Sequence, residues 1–508
     1  MKKGKLLSFP HPYFSERSTW KWFILVNVLI GATMSALDVS IVNVAMPTLK
    51  TEFNTSMAVI EWVAMAYMLT LTVFLPFFGR LADMFGRSKL YNMGFIVFTI
   101  GSLFCGLATS SLYMIVARIV QAVGAGLLQA NSVALITQAF PASERGRAIG
   151  IQGATQAIAM ALGPFIGGIL ISTIGWRSVF YINIPIGIIG TLAAMLILPP
   201  NMKTDKKEKI DYLGTVFFAS GLAFLVLVFN EAVKMGWDSN LIKVYTLLSV
   251  VLISLFIITE LRVEYPLIDL SLFKNSTFFI GNLTGMMSYY VLFTVLFLIP
   301  FYFEKVLNLS PALTGGLLTP IPLAMALVAP FAGHISDKYK FGTRLMTAGG
   351  MVVSALSCFA LLFLGYRAHL ILLVGELICL GIGMGMFTPP NNSAIMGSAP
   401  KEKLGLAGGV LNMMRSLGLI FGVDISGLIF TELEHKYLSS RGYHNLIHIF
   451  HNSQIPLLTK DHAFVHGFII VMGVLVAINV LASILSISKE EIHVDAAAAA
   501  AAKEFEGV

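Results

Sequence analysis

Charge is scarce in this sequence. Of 508 residues, 34 are Lys or Arg and 27 are Asp or Glu, together 12%, where a soluble domain carries about 25%. With 56% hydrophobic residues and a mean hydropathy of +0.81, too little polar surface is available to cover a soluble body of this size. The same composition excludes a disordered chain and a collagen-like repeat. Cysteine is nearly absent. Cys105, Cys358 and Cys379 all lie inside apolar runs, so no disulfide framework or metal-ligand spacing is available, and they read as small buried hydrophobes. Catalytic signatures are missing as well: there is no P-loop for ATP, no G-x-S-x-G elbow and no H-E-x-x-H pair. An enzyme and an ATP-driven pump are therefore not expected. The net charge of +7 is scattered between apolar runs and forms no continuous basic face, which argues against a nucleic-acid partner.

What the chain has in abundance is apolar runs of membrane-spanning length, about 20 residues each. Fourteen can be read, the first at 22–46 and the last at 463–486. The first follows a polar tail with no small-residue cleavage site, so it reads as a retained helix and not a signal peptide. The expected fold class is an all-α polytopic membrane protein with fourteen transmembrane helices. Twenty-two Lys and Arg fall in the segments on the side of the N-terminus and nine in those on the other. By the positive-inside rule both termini are expected in the cytoplasm, with the protein in the plasma membrane of a bacterial cell.

The stretch Gly79-Arg80-Leu81-Ala82-Asp83-Met84-Phe85-Gly86-Arg87-Ser88-Lys89, between the second and third runs, predicts a tight turn. Glycines would stand where the backbone bends, and an acid would face basic residues at helix ends. A looser copy, Gly333, Asp337, Gly342 and Arg344, falls between the tenth and eleventh runs. Each copy follows the second run of a set, which predicts two six-helix halves, 22–198 and 277–486. Between them lies an inserted helix pair with its flanking loops, 199–276. Residues 1–21 are read as a cytoplasmic tail, 432–462 as a long external loop, and 487–508 as a second tail whose run of alanines reads as foreign to the native chain. Parallel repeats with a site between them are a common plan of secondary transporters.

The Gly79–Lys89 stretch resembles the G-x-L-a-D-r-x-G-r-k signature of the major facilitator superfamily. Arg118-Ile119-Val120-Gln121-Ala122-Val123-Gly124-Ala125-Gly126 resembles the R-x-x-q-G-x-G motif of that family's fourth helix, with Ala122 where glycine is usual. Gly163-Pro164-Phe165-Ile166-Gly167-Gly168 resembles the antiporter motif G-P-x-x-G-G, with Ala159 replacing an upstream glycine. Three further segments are similar to the fourteen-spanner drug:proton antiporters of the multidrug and quaternary-ammonium type. They are Leu37-Asp38-Val39-Ser40-Ile41-Val42-Asn43-Val44-Ala45-Met46-Pro47, the W-R-x-x-F-x-I-N-x-P-x-G segment from Trp176 to Gly187, and Asp211-Tyr212-Leu213-Gly214. The resemblance implies the major facilitator fold and export of a small molecule against inward proton flow by alternating access. It also implies a part in proton transfer for Arg118, and no cofactor, with the proton gradient as the energy source.

An ionisable group at the centre of a membrane helix costs about 2.5–3.5 kcal/mol and usually faces a cavity or a partner. Asp38, Glu61, Arg118, Glu376, Arg415 and Asp424 are such groups. Counting ~1.5 Å per residue from the span ends sets Asp38, Arg118 and Asp424 at one depth, where they are expected to share a layer of a central cavity. Asp38, Glu61, Arg118 and Asp424 are the proton-coupling candidates. Asp38, Glu61 and Asp424, with Trp62, Tyr67, Tyr289, Tyr290 and Phe387, are the candidate contacts for an amphipathic, cationic substrate, since an aromatic face attracts an organic cation by about 0.5–2 kcal/mol. The plainer readings are a hydrogen-bonded anchor of the first helix for Asp38, an interhelical anchor for Arg118, a carboxylate paired across helices for Asp424, a solvated group for Glu61 and packed core for each aromatic. Arg415 and Glu376 read as structural, and Glu304 as interfacial.

Gating is expected at Gly79, Asp83, Gly86, Arg87 and Asp337, where acids held against helix ends release when the halves rock apart. A bend at Gly163-Pro164 is expected to seal the cavity. His444, His448 and His451 fall on one helical face of the external loop, and a solvated amphipathic hairpin is preferred there to a metal site. The chain is thus expected to be a proton-coupled exporter of amphipathic, cationic drugs, a monomer in the lipid bilayer whose partners are its small-molecule substrate and protons. An exporter of one metabolite, lipid or siderophore is the alternative, and a non-transporting sensor or scaffold a remote one.

Overall fold

Lipid offers no hydrogen-bond partner, so a spanning segment satisfies its own backbone by forming a helix. The computed structural model describes residues 19–488 except 56, 200–210, 237, 264–265, 310, 340–341, 364–368, 442 and 444–456. Its principal helices are α1 (Trp20–Glu52), α2 (Met57–Phe85), α3 (Arg87–Gly106), α4 (Ser111–Ala139), α5 (Ala142–Thr173), α6 (Asn183–Ile197) and α7 (Tyr212–Met235). They continue as α8 (Asn240–Glu260), α9 (Ser276–Phe301), α10 (Pro320–Lys338), α11 (Gly342–Leu361), α12 (Leu370–Ser398), α13 (Leu404–Ser439) and α14 (Leu457–Ile487). Thirteen are straight enough, long enough and apolar enough to cross a membrane, and α5 makes a fourteenth as two segments, Ala142–Gly163 and Phe165–Thr173, that meet at 41°. The bend falls at the Gly163-Pro164 step, where the sequence predicts it.

Side chains mark several helix starts. Ser110 accepts from the Tyr113 N–H, Asp211 from Gly214, and Asn275 from both Thr277 and Phe278, each satisfying N–H groups that an α-helix leaves free at its first turn. Past Pro300, α9 widens into a π turn, Tyr302–Val306. Two boundaries differ from expectation. The predicted turn at 79–89 contracts to Gly86 alone, with φ of 98°, because α2 runs through Gly79 to Phe85. The predicted external loop 432–462 also shortens, since α13 continues to Ser439 and α14 resumes at Leu457. His444, His448 and His451 lie outside the described residues.

Helices α1–α6 pack among themselves, with α1 on α5 and α3 on α4. Helices α9–α14 do likewise, with α9 on α13 and α11 on α12. The two sets meet where α2 lies on α13 and α5 on α10, while α7 and α8 pair with each other and α7 touches α2 and α13. A backbone repeat relates the sets. A Cβ on Gly94 of α3 would meet the Gly124 carbonyl and Leu128 nitrogen of α4. One on Gly350 of α11 would meet the Gly383 carbonyl and Phe387 nitrogen of α12. Phe387 thereby matches Leu128 and sits in the packed core beside Met351 and Ala482. The expected substrate contact at Phe387 gives way to helix packing. Cys379, by contrast, is exposed on α12, on the outward face with Leu372, because an apolar run within lipid has no need to bury both faces.

Gly124 and Gly383 let these helix pairs touch: an added Cβ would stand 2.3 Å from Phe98 N and 2.3 Å from Ser354 Oγ respectively. Gly124→Val and Gly383→Val are each expected to destabilise the protein by about 1–3 kcal/mol or more through overpacking. Thermal unfolding in detergent checks this. A wild-type melting temperature for either variant would contradict the repeat as a packing device.

Candidate functional site

The most deeply buried charges form one cluster. Asp38 on α1 and Arg118 on α4, 0% and 1% exposed, pair at 2.5 Å through Oδ2 and Nη1. The i, i+3 spacing sets Gln121 beside Arg118 on one face of α4. Gln121 Oε1 accepts from Arg118 Nη1 at 2.6 Å, while its amide donates to Asp38 Oδ1 and to Ser102 Oγ of α3, both at 2.8 Å. Asn183, at the start of α6, donates to the same Asp38 oxygen at 3.1 Å. Arg118 Nε donates to the Val63 carbonyl of α2, and the guanidinium lies 4.1 Å from the centre of the Tyr67 ring. Five helices of the first set thus converge on two opposite charges. Tyr67, expected against substrate, is instead the fully buried floor under Arg118.

The sequence singles out Asp38 and Arg118 but overlooks Gln121, Asn183 and Ser102. Gln121 and Asn183 lie inside motifs with readable signatures, and only the fold reveals that both reach one carboxylate. Asp424 does not join the cluster. It is half-buried on α13, and among the described residues no charged group or hydrogen-bond donor is set against it. Depth alone suggested a shared layer, and helical phase separates them. Phe421, one turn earlier on nearly the same face, meets Phe229 of α7 at 6.1 Å. Asp424 therefore faces the side of α13 flanked by the inserted pair.

Tyr289 and Tyr290 are half-buried on α9. Tyr289 stacks on Phe293 and lies under Arg415. The Tyr290 hydroxyl accepts from Ser426 of α13 at 2.8 Å, and Ser426 in turn bonds Thr294. Trp62 is half-buried on α2. The side chains of Glu61, Asn43 and Pro164 lie outside the described residues. Gly163 packs on α1, since a Cβ there would fall 1.9 Å from Ser40 Oγ. Among the described residues, no three His, Cys, Asp or Glu groups are disposed to hold a metal ion.

At the end carrying the first and last described residues, two matching seams join the sets. Gly79 of α2 lies against Gly405 of α13, and Gly333 of α10 against Gly146 of α5. An added Cβ would come within 2.3 and 2.2 Å of the facing carbonyl. Four residues beyond each glycine stands an aspartate. Asp83 accepts from the Gly405 and Leu406 N–H groups at 2.9 and 2.8 Å. Asp337 accepts from Gly146 and Arg147, both at 3.1 Å. Asp83 therefore caps the start of α13, where free N–H groups and the helix dipole favour a negative charge, while Asp337 bonds N–H groups one turn inside the N-terminal end of α5. Arg87 reinforces the first seam only, bonding Asp83 Oδ1 at 2.8 Å and the Lys401 carbonyl at 2.8 Å.

Charge pairs brace α5 and α13 from within their own sets. Lys21 meets Glu144 at 2.5 Å, and Asp269 meets Lys403 with the signs reversed. Burial pushes the Asp269 carboxyl up, but hydrogen bonds from Lys403 and Ser271 outweigh it and hold it below the ordinary value. A depressed carboxylate contributes its full stability above its unfolded value near ~3.9 and loses it as pH falls through the lower folded value. The Asp269 brace is therefore intact at neutral pH.

Comparison with known proteins fits this architecture. The sequence profile described as Major Facilitator Superfamily matches residues 28–423. The chain belongs to the major facilitator superfamily. It is a multi-pass membrane transporter and not an enzyme. It is 38% identical over 412 residues to the riboflavin transporter RibZ of Clostridioides difficile, covering 81% of this chain and 89% of that protein. It is 32% identical over 406 residues to the multidrug resistance protein Stp of Mycobacterium tuberculosis, covering 80% and 75%. The human organic anion transporter MFSD10 (TETRAN) superposes with a TM-score of 0.62 at 12% identity, over 92% of this chain and 99% of that one. The proton:xylose symporter XylE superposes with a TM-score of 0.61 at 15% identity, over 92% and 95%. These last two likenesses are of fold.

In this facilitator, neutralising one member of the buried pair strands the other. Asp38→Asn is expected to destabilise the protein by about 3–5 kcal/mol, and Asp38→Asn with Arg118→Gln to recover part of the loss. Heat unfolding of the two single variants and the double variant checks this. Strictly additive losses would mean that the two side chains do not act as a pair.

Proposed function

We propose that this protein exports amphipathic small molecules across a bacterial plasma membrane in exchange for protons, by alternating access. The carrying observation is the Asp38–Arg118 pair, buried from solvent and held by Gln121 and Asn183. Protonating Asp38 removes one charge of a balanced pair and leaves the guanidinium without its counter-ion, so proton arrival and rearrangement of α1 against α4 become one event. The first set would rock against the last about the two seams, with Asp83 and Asp337 releasing the helix starts of α13 and α5 as that end opens. Fourteen helices, with α7 and α8 between the sets, support the fourteen-spanner drug:proton antiporter reading. Excess Lys and Arg on the seam side support cytoplasmic termini.

The cationic substrate read from the sequence is supported by the Asp424 carboxylate, which has no charged partner among the described residues, and by the half-buried aromatics Tyr289, Tyr290 and Trp62 elsewhere on the spanning helices. The relative named a multidrug resistance protein points the same way. Export of a single metabolite is the second reading, favoured by the relative named a riboflavin transporter. We assign no cofactor, nucleic acid or partner subunit to the cycle, and the proton gradient supplies its energy.

Proteoliposomes with an imposed pH gradient test the proposal. The wild type is expected to accumulate ethidium against its own gradient. Asp38→Asn should keep downhill exchange while losing gradient-driven accumulation by about tenfold or more. Undiminished accumulation by Asp38→Asn would remove that residue from coupling, and riboflavin movement with none of ethidium would favour the metabolite reading.

A further inference from the structure

Arg415 lies well inside α13, and its surroundings are the opposite of those of Arg118. Arg118 has a carboxylate, an amide oxygen and a backbone carbonyl as acceptors. For Arg415, among the described residues, the one acceptor is Asn412 Oδ1 at 3.4 Å, from Nη1. Its guanidinium is 5.3 Å from the centre of the Tyr289 ring, and Tyr289 stacks on Phe293 at 6.2 Å with 25° between ring planes. Arginine offers five N–H donors in a rigid fork, and most of this fork has no acceptor among the described residues.

Helical phase fixes where the fork points. Three residues before Arg415, Asn412 donates to the Gln129 carbonyl of α4, and Gly408 packs on Ala130. Three and seven residues after it, Gly418 and Gly422 lie against Met286 and Tyr290 of α9. At ~100° per residue, Arg415 falls between these two faces of α13, toward the space between α4 and α9 where the two sets face each other. Asp424, nine residues on, is half a turn away and points elsewhere. The positive group facing that space is thus anchored from below by an amide and backed by two stacked aromatic rings. A membrane-embedded guanidinium with no counter-ion among the described residues carries much of its desolvation unrelieved until an acceptor arrives.

We infer that Arg415 is a specificity-determining residue that receives a carboxylate or paired-carbonyl edge of the substrate in a forked contact, with Tyr289 and Phe293 stacking on an adjoining planar ring. Within the amphipathic compounds of the export reading, Arg415 then favours planar aromatic ones with an acidic or strongly hydrogen-bond-accepting edge, including zwitterions. This deepens the export reading given above and rests on it for the direction of movement only.

Equilibrium binding to the purified full chain in nanodiscs, without a proton gradient, tests the inference separately from coupling. The probes are tetramethylrhodamine, which has a free carboxylate, and its ethyl ester, which has the same cationic ring system without that charge. The wild type is expected to bind the free acid at least about tenfold more tightly than the ester. Arg415→Gln should abolish that preference while leaving ester binding unchanged, and Arg415→Lys, which keeps the charge but loses the fork, should fall between. Equal wild-type affinity for the two dyes, weak or tight, overturns the inference. So does an Arg415→Gln variant that weakens both dyes equally, which would indicate a structural role. A protein that shows the acid preference yet fails to couple transport to protons would sink the exchange mechanism and leave this contact standing.

Discussion

The low polarity of the membrane interior makes one interaction decisive: a carboxylate and a guanidinium taken out of water together. Neither Asp38 nor Arg118 is tolerable alone at that depth, and together they need further donors and acceptors to remain balanced. The first set of helices supplies these from α2, α3, α4 and the start of α6. The arrangement of that set follows from this demand. Gly101 lets α3 lie directly on Gln121, which brings Ser102 and Cys105 to the amide that bridges the pair. A charge pair so closely held is rigid while intact, and in the proposed cycle it responds to a single proton.

In the proposed cycle the seams translate proton arrival into motion. Both use the same grammar: an internal proline, a glycine three residues later, and an aspartate four residues beyond. These are Pro76, Gly79 and Asp83 on α2, and Pro330, Gly333 and Asp337 on α10. Against them lie Gly405 and Gly409 on α13 and Gly146 and Gly150 on α5, small-residue pairs at the four-residue spacing that lets membrane helices approach. The seams are related but not identical: Arg87 bonds Asp83 directly in the first, and Arg145 attracts Asp337 in the second.

Much of this was legible in the sequence because scarcity makes each charge conspicuous. The spans, the repeat signalled by Asp83 and Asp337, and the bend at Gly163-Pro164 all follow from local patterns whose physics is local. What the sequence hid was tertiary. Gly79 looks like a turn glycine beside Gly86, yet one admits a neighbouring helix and the other takes a positive φ. Tyr67 and Phe387 look like cavity aromatics until the helices around them are assembled. Depth grouped Asp424 with Asp38, whereas phase turns it to another face of α13. Arg415 looked structural because its lack of an acceptor becomes visible only when its neighbours are in place.

The central claim is that Asp38 is the group that gains and loses the proton. Infrared difference spectroscopy on the purified protein, stepped between alkaline and acidic buffer, reads this directly through the carbonyl band of a protonated carboxylic acid. The account predicts a band that is present in the wild type, absent in Asp38→Asn and retained in Asp424→Asn. An unchanged band in Asp38→Asn would contradict it.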